Sequence, residues 1–134
     1  LDIPLAFIEK RRMANDSKAL ALTLIGDVKG RDVIIVDDEV DTGGSIAQAV
    51  NLAREKGALN IYVVFVHPVL SADCMNRLAA LPVTEFITTD TIPVSKEKLS
   101  VFKSRLTVLS VAPLLGEVIR RTNEGRSVGE LFNE

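Results

Sequence analysis

One ten-residue passage limits this chain more than any other: "VDDEVDTGGS", Val36 to Ser45, between the run "DVII" and the helical period of "IAQAV". The unbroken β-branched run Val33 to Val36 reads as a buried strand, stopped by the carboxylates of Asp37 and Asp38. A helix follows from about Ser45 to Lys56. Its apolar residues Ile46, Ala49, Val50 and Ala53 share one face, and Gly57 supplies a C-terminal stop. A buried strand feeding a helix through so short a loop is half of a parallel crossover, which commits the chain to an α/β sheet.

The remaining pattern agrees. "PLAFI" (Pro4 to Ile8) reads as a strand ending in a charged segment, Glu9 to Lys18. "ALALTLI" (Ala19 to Ile25) is ambiguous, because Ala and Leu favour helix while its length favours strand. "IYVVFVH" (Ile61 to His67) is a second continuous apolar strand, "ADCMNRLAAL" (Ala72 to Leu81) a short helix, and "TEFITT" a further strand. After a polar stretch, "LTVLSV" reads as the last strand. A helix follows over "APLLGEVIRRTNEG", with Pro113 in its first turn, and "SVGELF" adds one more turn. No repeat or flexible linker interrupts the order. The expectation is one α/β unit over residues 1–134, a mainly parallel sheet with helices on both faces.

Composition removes several function classes. Sixteen basic and eighteen acidic residues give a formal charge of −2, which offers no general field for nucleic acid or an anionic membrane. Apolar runs such as "IYVVFV" are too short to cross a bilayer as a helix. One cysteine, Cys74, excludes an intramolecular disulfide and a cysteine metal cluster, and suits a reducing cytoplasm.

The passage quoted first sets acids beside a glycine turn, two features with opposite preferences for phosphate. Thr42, Gly43, Gly44 and Ser45 open a helix, where unpaired N–H groups and the helix dipole attract an anion. Glycines admit positive φ and a close backbone approach, and the two hydroxyls add donors. Asp41 to Ser45 therefore reads as a phosphate cradle. Asp37 and Asp38 suit a different group, either a sugar diol or a divalent cation. A pentose 5-phosphate has both ends. The plainer account is a tight strand–helix turn with Ser45 as cap, but four acids plus Thr and Ser within nine residues weigh against it. A phospho-receiver domain also begins with paired acids. It requires a further acid at the end of the next strand, where this chain has His67-Pro68.

"VIIVDDEVDTGGS" resembles the phosphoribosyl diphosphate (PRPP) loop of type I phosphoribosyltransferases and their relatives. "PLAFIEKRR", "FVHPVLS", "FKSRLTVLSVAPLLGEVIRR" and "SVGELF", in that order, are similar to the landmarks of the ribose-phosphate pyrophosphokinase (PRPP synthetase) family, over essentially the whole chain. The resemblance implies a type I phosphoribosyltransferase-like fold. It also implies transfer of diphosphate from ATP, with Mg²⁺, to ribose 5-phosphate, giving PRPP and AMP. Lys10 and Arg12 match the loop cations that contact the transferring phosphates. Asp37 and Asp38 match the acids facing the ribose hydroxyls, and Asp41, Thr42, Gly43, Gly44 and Ser45 match the 5-phosphate loop. Homo-oligomerisation is implied as well.

Glu39 departs from the family loop, which usually has an apolar residue there. The start "LDIPLAFIEK" already reads as ordered strand, so the expectation is a C-terminal domain without the family's N-terminal half, which carries most of the ATP surface and its metal-associated His and Asp. His67, the single histidine, does not match that residue and reads as a strand-end structural group. Two other functions use the same loop: a phosphoribosyltransferase consuming PRPP, and a non-catalytic regulatory relative.

Overall fold

The structure, a computed structural model, describes residues 3–12, 20–71 and 73–132; of residues 10–12, 20 and 21 it describes the backbone. Four strands, β3 (Val33–Glu39), β4 (Ile61–His67), β5 (Glu85–Thr89) and β6 (Leu106–Leu109), form a parallel sheet in that spatial order. Helices α1 (Gly44–Glu55), α2 (Cys74–Ala79) and α3 (Lys96–Val101) fill the crossovers, and α4 (Ala112–Asn123) follows β6. The parallel sheet with crossover helices is the α/β fold expected, although α1 to α3 share one face.

Strand alternation assigns the faces. Ile61, Val63 and Phe65 of β4 and Phe86 of β5 are buried against Ile46, Val50 and Ala53 of α1, Cys74, Met75 and Leu78 of α2, and Phe102 just beyond α3. The Phe86 and Phe102 rings meet at 5.1 Å and 60°, a tilted pairing worth about 1 kcal/mol beyond its area. On the other face Ile34 and Val36 of β3, Val66 of β4 and Leu109 of β6 are exposed. The helices α1 to α3 thus pack on one side, although the continuous apolar runs are suited to burial on both.

Helix α3 emerges from the stretch that reads only as polar. Ser95 caps it through Oγ, which accepts the Lys98 N–H at 3.3 Å, while Val101 and Phe102 anchor the far end in the core. Arg105 fastens the next turn, its guanidinium donating to the carbonyls of Ala79, the last residue of α2, and of Leu81 and Val83 beyond it.

The N-terminal segment differs from expectation. Strand β1 runs Phe7–Arg12, so the charged residues Glu9 to Arg12 extend the strand instead of ending it, and β2 (Leu20–Ile25) resolves the ambiguous run as strand. The two pair antiparallel as a separate sheet, with Lys10 opposite Leu22 and Arg12 opposite Leu20. Cross-strand pairing supplied the hydrogen bonds that local propensity could not indicate. A cavity of about 970 Å³ lies between hairpin and sheet, bordered by Leu5, Phe7, Leu22, Leu24, Ile34 and Val36.

At the far end, the "SVGELF" turn is a 3₁₀ helix, Gly129–Phe132, tied back to α4. Arg121 donates to Glu117 at 2.8 Å, to Glu130 at 2.7 Å and to the Ser127 carbonyl at 2.9 Å. Hydrogen bonds from Arg120 and Arg121 hold the Glu117 carboxyl at about 2, below its ordinary 4.5. A depressed carboxyl stabilises the folded form above its unfolded value and loses that contribution as pH falls through the folded one. The α4 and 3₁₀ junction should therefore be fully held above pH 4.5 and loosen between 4.5 and about 2. A ¹³C carboxyl titration of Glu117 should show a midpoint near 2, and one near 4.5 would refute the network.

Candidate active-site loop

The turn from β3 into α1 lies at the carboxyl end of the parallel sheet, where open α/β folds bind ligands. Contrary to expectation, Asp37 and Asp38 do not stop β3, which continues to Glu39, and the chain then passes through Val40, buried at 2% exposure, before turning. Asp37, Asp38, Glu39, Asp41, Thr42, Gly43, Gly44 and Ser45 border one hollow of about 370 Å³. The acidic and the glycine-rich halves of the expected site thus face a common space.

Gly43 is the hinge of the turn. Its φ of 73° and ψ of 5° are left-handed, and it precedes α1 with no side-chain cap. A Cβ built there would stand 2.9 Å from Cys74 Sγ and 3.1 Å from Leu78 Cδ2, so α2 presses directly on the turn. Ala47 N–H makes the first helical bond, to the Gly43 carbonyl at 3.0 Å. The N–H groups of the first turn, Gly44 to Ile46, precede that bond and are oriented by the helix toward its open end. Ser45 belongs to the first turn of α1, and the cap position falls to Gly43, which has no side chain to cap with.

Bracing comes from the segment after β4. Val40 N–H donates to His67 O at 3.1 Å, Leu70 N–H to Val40 O at 2.9 Å and Ser71 N–H to Asp41 O at 3.0 Å. The Ser71 hydroxyl also donates to the Asp41 carboxylate. Leu70 holds φ at 49° with its side chain buried, and Lys98 of α3 donates to its carbonyl at 3.1 Å. From α2, Arg77 donates to the Thr42 carbonyl. Asp41 thus borders the hollow while its carboxylate accepts from Ser71, so anything it offered a phosphate would come from its backbone.

Asp37 Oδ1 accepts the Asp38 N–H at 3.0 Å, fixing the first carboxylate against its own backbone. Glu39 is exposed and pairs in register with His67, whose Nδ1 lies 3.0 Å from Thr91 Oγ1 at the end of β5. Lys10 and Arg12 lie on β1, and their side chains fall outside the described residues. Among the described residues no three His, Cys, Asp or Glu side chains converge as a metal cage. One or two carboxylates plus a substrate's own oxygens is the way Mg²⁺ is commonly held, and Asp37 and Asp38 suit that mode.

Ser71 and Arg77 were not singled out by their sequence context. Nothing in "SADCMNR" marks Arg77 except its place on a short helix, and its partner stands thirty-five positions earlier.

The two glycines should respond differently to substitution. Gly43→Ala meets both the left-handed backbone and the Cys74 and Leu78 contacts, and should cost about 3 kcal/mol in a denaturant melt. At Gly44 a Cβ meets, among the described residues, only Thr42 Oγ1 at 3.8 Å, so Gly44→Ala should unfold within about 1 kcal/mol of the parent. Equal stability of the two variants would refute the role given to α2.

Residues 8–133 match the family model described as the phosphoribosyl synthetase-associated domain. The chain is 44% identical over 132 residues to the ribose-phosphate pyrophosphokinase of Caldanaerobacter subterraneus subsp. tengcongensis, covering 98% of this chain and 40% of that protein. It is 42% identical to the enzyme of the same name from Deinococcus radiodurans, covering 98% and 41%. The solved phosphoribosylpyrophosphate synthetase from Mycobacterium smegmatis superposes with a TM-score of 0.79 at 44% identity, over 92% of this chain and 38% of that one. The chain thus spans about two fifths of the length of the curated relatives it matches. With nearly every residue aligned to the family model, the chain belongs to the phosphoribosyl synthetase-associated domain family.

Proposed function

We propose that this chain supplies the ribose 5-phosphate side of a ribose-phosphate pyrophosphokinase active site. The observation that carries the reading is one hollow bordered both by the glycine-capped start of α1 and by Asp37 and Asp38. The 5-phosphate fits the first-turn N–H groups with the Thr42 and Ser45 hydroxyls, since these are donors and the helix dipole is positive there. The ribose hydroxyls, which are donors, suit Asp37 and Asp38, which accept. A reversed pose would set phosphate against carboxylates and is disfavoured.

In the proposed reaction the anomeric hydroxyl oxygen of ribose 5-phosphate attacks the β-phosphorus of ATP. The bond from that phosphorus to the α–β bridging oxygen breaks, AMP departs and the hydroxyl proton is released. Negative charge grows on the nonbridging oxygens and on the leaving group, which is the role for Lys10 and Arg12 at the end of the β1–β2 hairpin. Mg²⁺, brought with ATP, would add positive charge at the same oxygens, held in part by Asp37 or Asp38. The proposal includes the rest of a longer chain as the source of the ATP surface, association into homo-oligomers and a cytoplasmic setting.

Two measurements test it. The 134-residue chain should bind ribose 5-phosphate, with the Gly44 and Ser45 amides moving in a ¹⁵N spectrum, yet release no AMP from ATP. Failure to bind, or AMP release by this chain alone, would overturn the division of labour. In a full-length protein carrying this segment, Lys10→Ala should lower PRPP formation by ~100-fold or more. Unchanged synthesis would point to a non-catalytic relative instead.

A further inference from the structure

We propose that Arg77 is a positioning residue for the phosphate cradle, acting through the Thr42–Gly43 peptide. The inference deepens the proposed ribose 5-phosphate reading and rests on it. Arg77 lies on α2, outside the lining of the hollow, and its guanidinium donates to the Thr42 carbonyl. In a trans peptide the carbonyl and the following N–H point in opposite directions. Holding the Thr42 oxygen toward Arg77 therefore turns the Gly43 N–H away from α2 and toward the hollow. The Cα side of Gly43 is already filled by Cys74 and Leu78. Contacts on both sides of the peptide leave it one orientation.

A glycine next to a peptide bond is the place where such control matters. Gly43 tolerates both signs of φ, so the peptide before it can rotate at little steric cost, exchanging an inward N–H for an inward carbonyl. An inward carbonyl would repel phosphate. Asp41 cannot prevent the exchange, because its carboxylate and carbonyl are engaged by Ser71 on the preceding residue. Only Arg77, among the described hydrogen bonds, reaches the Thr42 oxygen. It spends its donor on the protein backbone and contributes to ligand binding at second hand.

The test uses Arg77→Met, which keeps an unbranched stem but no donor, and Arg77→Lys, which keeps charge and a single donor group. Ribose 5-phosphate binding by the 134-residue chain should weaken about tenfold in Arg77→Met and less in Arg77→Lys, with the ligand-induced shift of the Gly43 amide lost in the former and that of Ser45 kept. Wild-type affinity together with a wild-type Gly43 shift would overturn the proposal. Without ligand, the ¹³C carbonyl of Thr42 should already move in Arg77→Met, and an unchanged signal would also overturn it. If the parent chain binds no ribose 5-phosphate, the functional reading fails, and the ligand-free carbonyl signal still decides the role of Arg77. Thermal melts separate positioning from folding: should Arg77→Met melt early, the Thr42 carbonyl and affinity of Arg77→Lys decide.

Discussion

The hydrogen bonds that continue the β3–β4 ladder beyond the strands hold the rest of the site in place. Parallel pairing aligns Val33 with Ile61 and Glu39 with His67. The same two chains then stay together as Val40 meets His67 and Leu70, and Asp41 meets Ser71. An irregular loop ordinarily frays because its backbone groups bond to water. Here the loop borrows the rigidity of the sheet for several residues after the sheet has ended. The buried side chains of Val40 and Leu70 keep water from those bonds.

That rigidity bears on the apparent conflict between acids and the proposed phosphate cradle. Asp37 and Asp38 leave the end of a strand, whereas the Gly44 and Ser45 N–H groups open a helix, and the turn at Gly43 sets the two directions apart. Asp41, the acid nearest the turn in sequence, is drawn toward Ser71. In the proposed pose, this geometry would lessen repulsion between carboxylate and phosphate, with the helix dipole on the phosphate side. The helix α2 contributes by contact from behind, through Cys74, Leu78 and Arg77. Burial raises the Cys74 thiol above its usual value, so this residue packs as a neutral group against the turn.

Much of this was legible from residues alone. Val33 to Val36 and Ile61 to His67 are strands because β-branched and apolar runs of that length have few other outlets. The period of Ile46, Ala49, Val50 and Ala53 named the buried face of α1, all four of which are buried. The β1–β2 hairpin and α3 were not legible. The hairpin depends on pairing across an interval of charged residues, and α3 is a six-residue helix held by Ser95 at one end and Phe102 at the other. Neither carries a periodic signal long enough to distinguish it from a loop.

The sequence by itself determined the parallel α/β plan, the acidic loop and the glycine turn, because strand runs, helix period and turn chemistry are local properties. Tertiary structure alone decided what each loop residue does. Asp41 became a bracing acceptor, Ser45 a first-turn residue, Gly43 a contact point for α2, and Arg77 the partner of a carbonyl thirty-five residues away. The reason is physical: hydrogen bonds and steric contacts depend on distances in space, and those distances are set by how a crossover helix packs on its sheet.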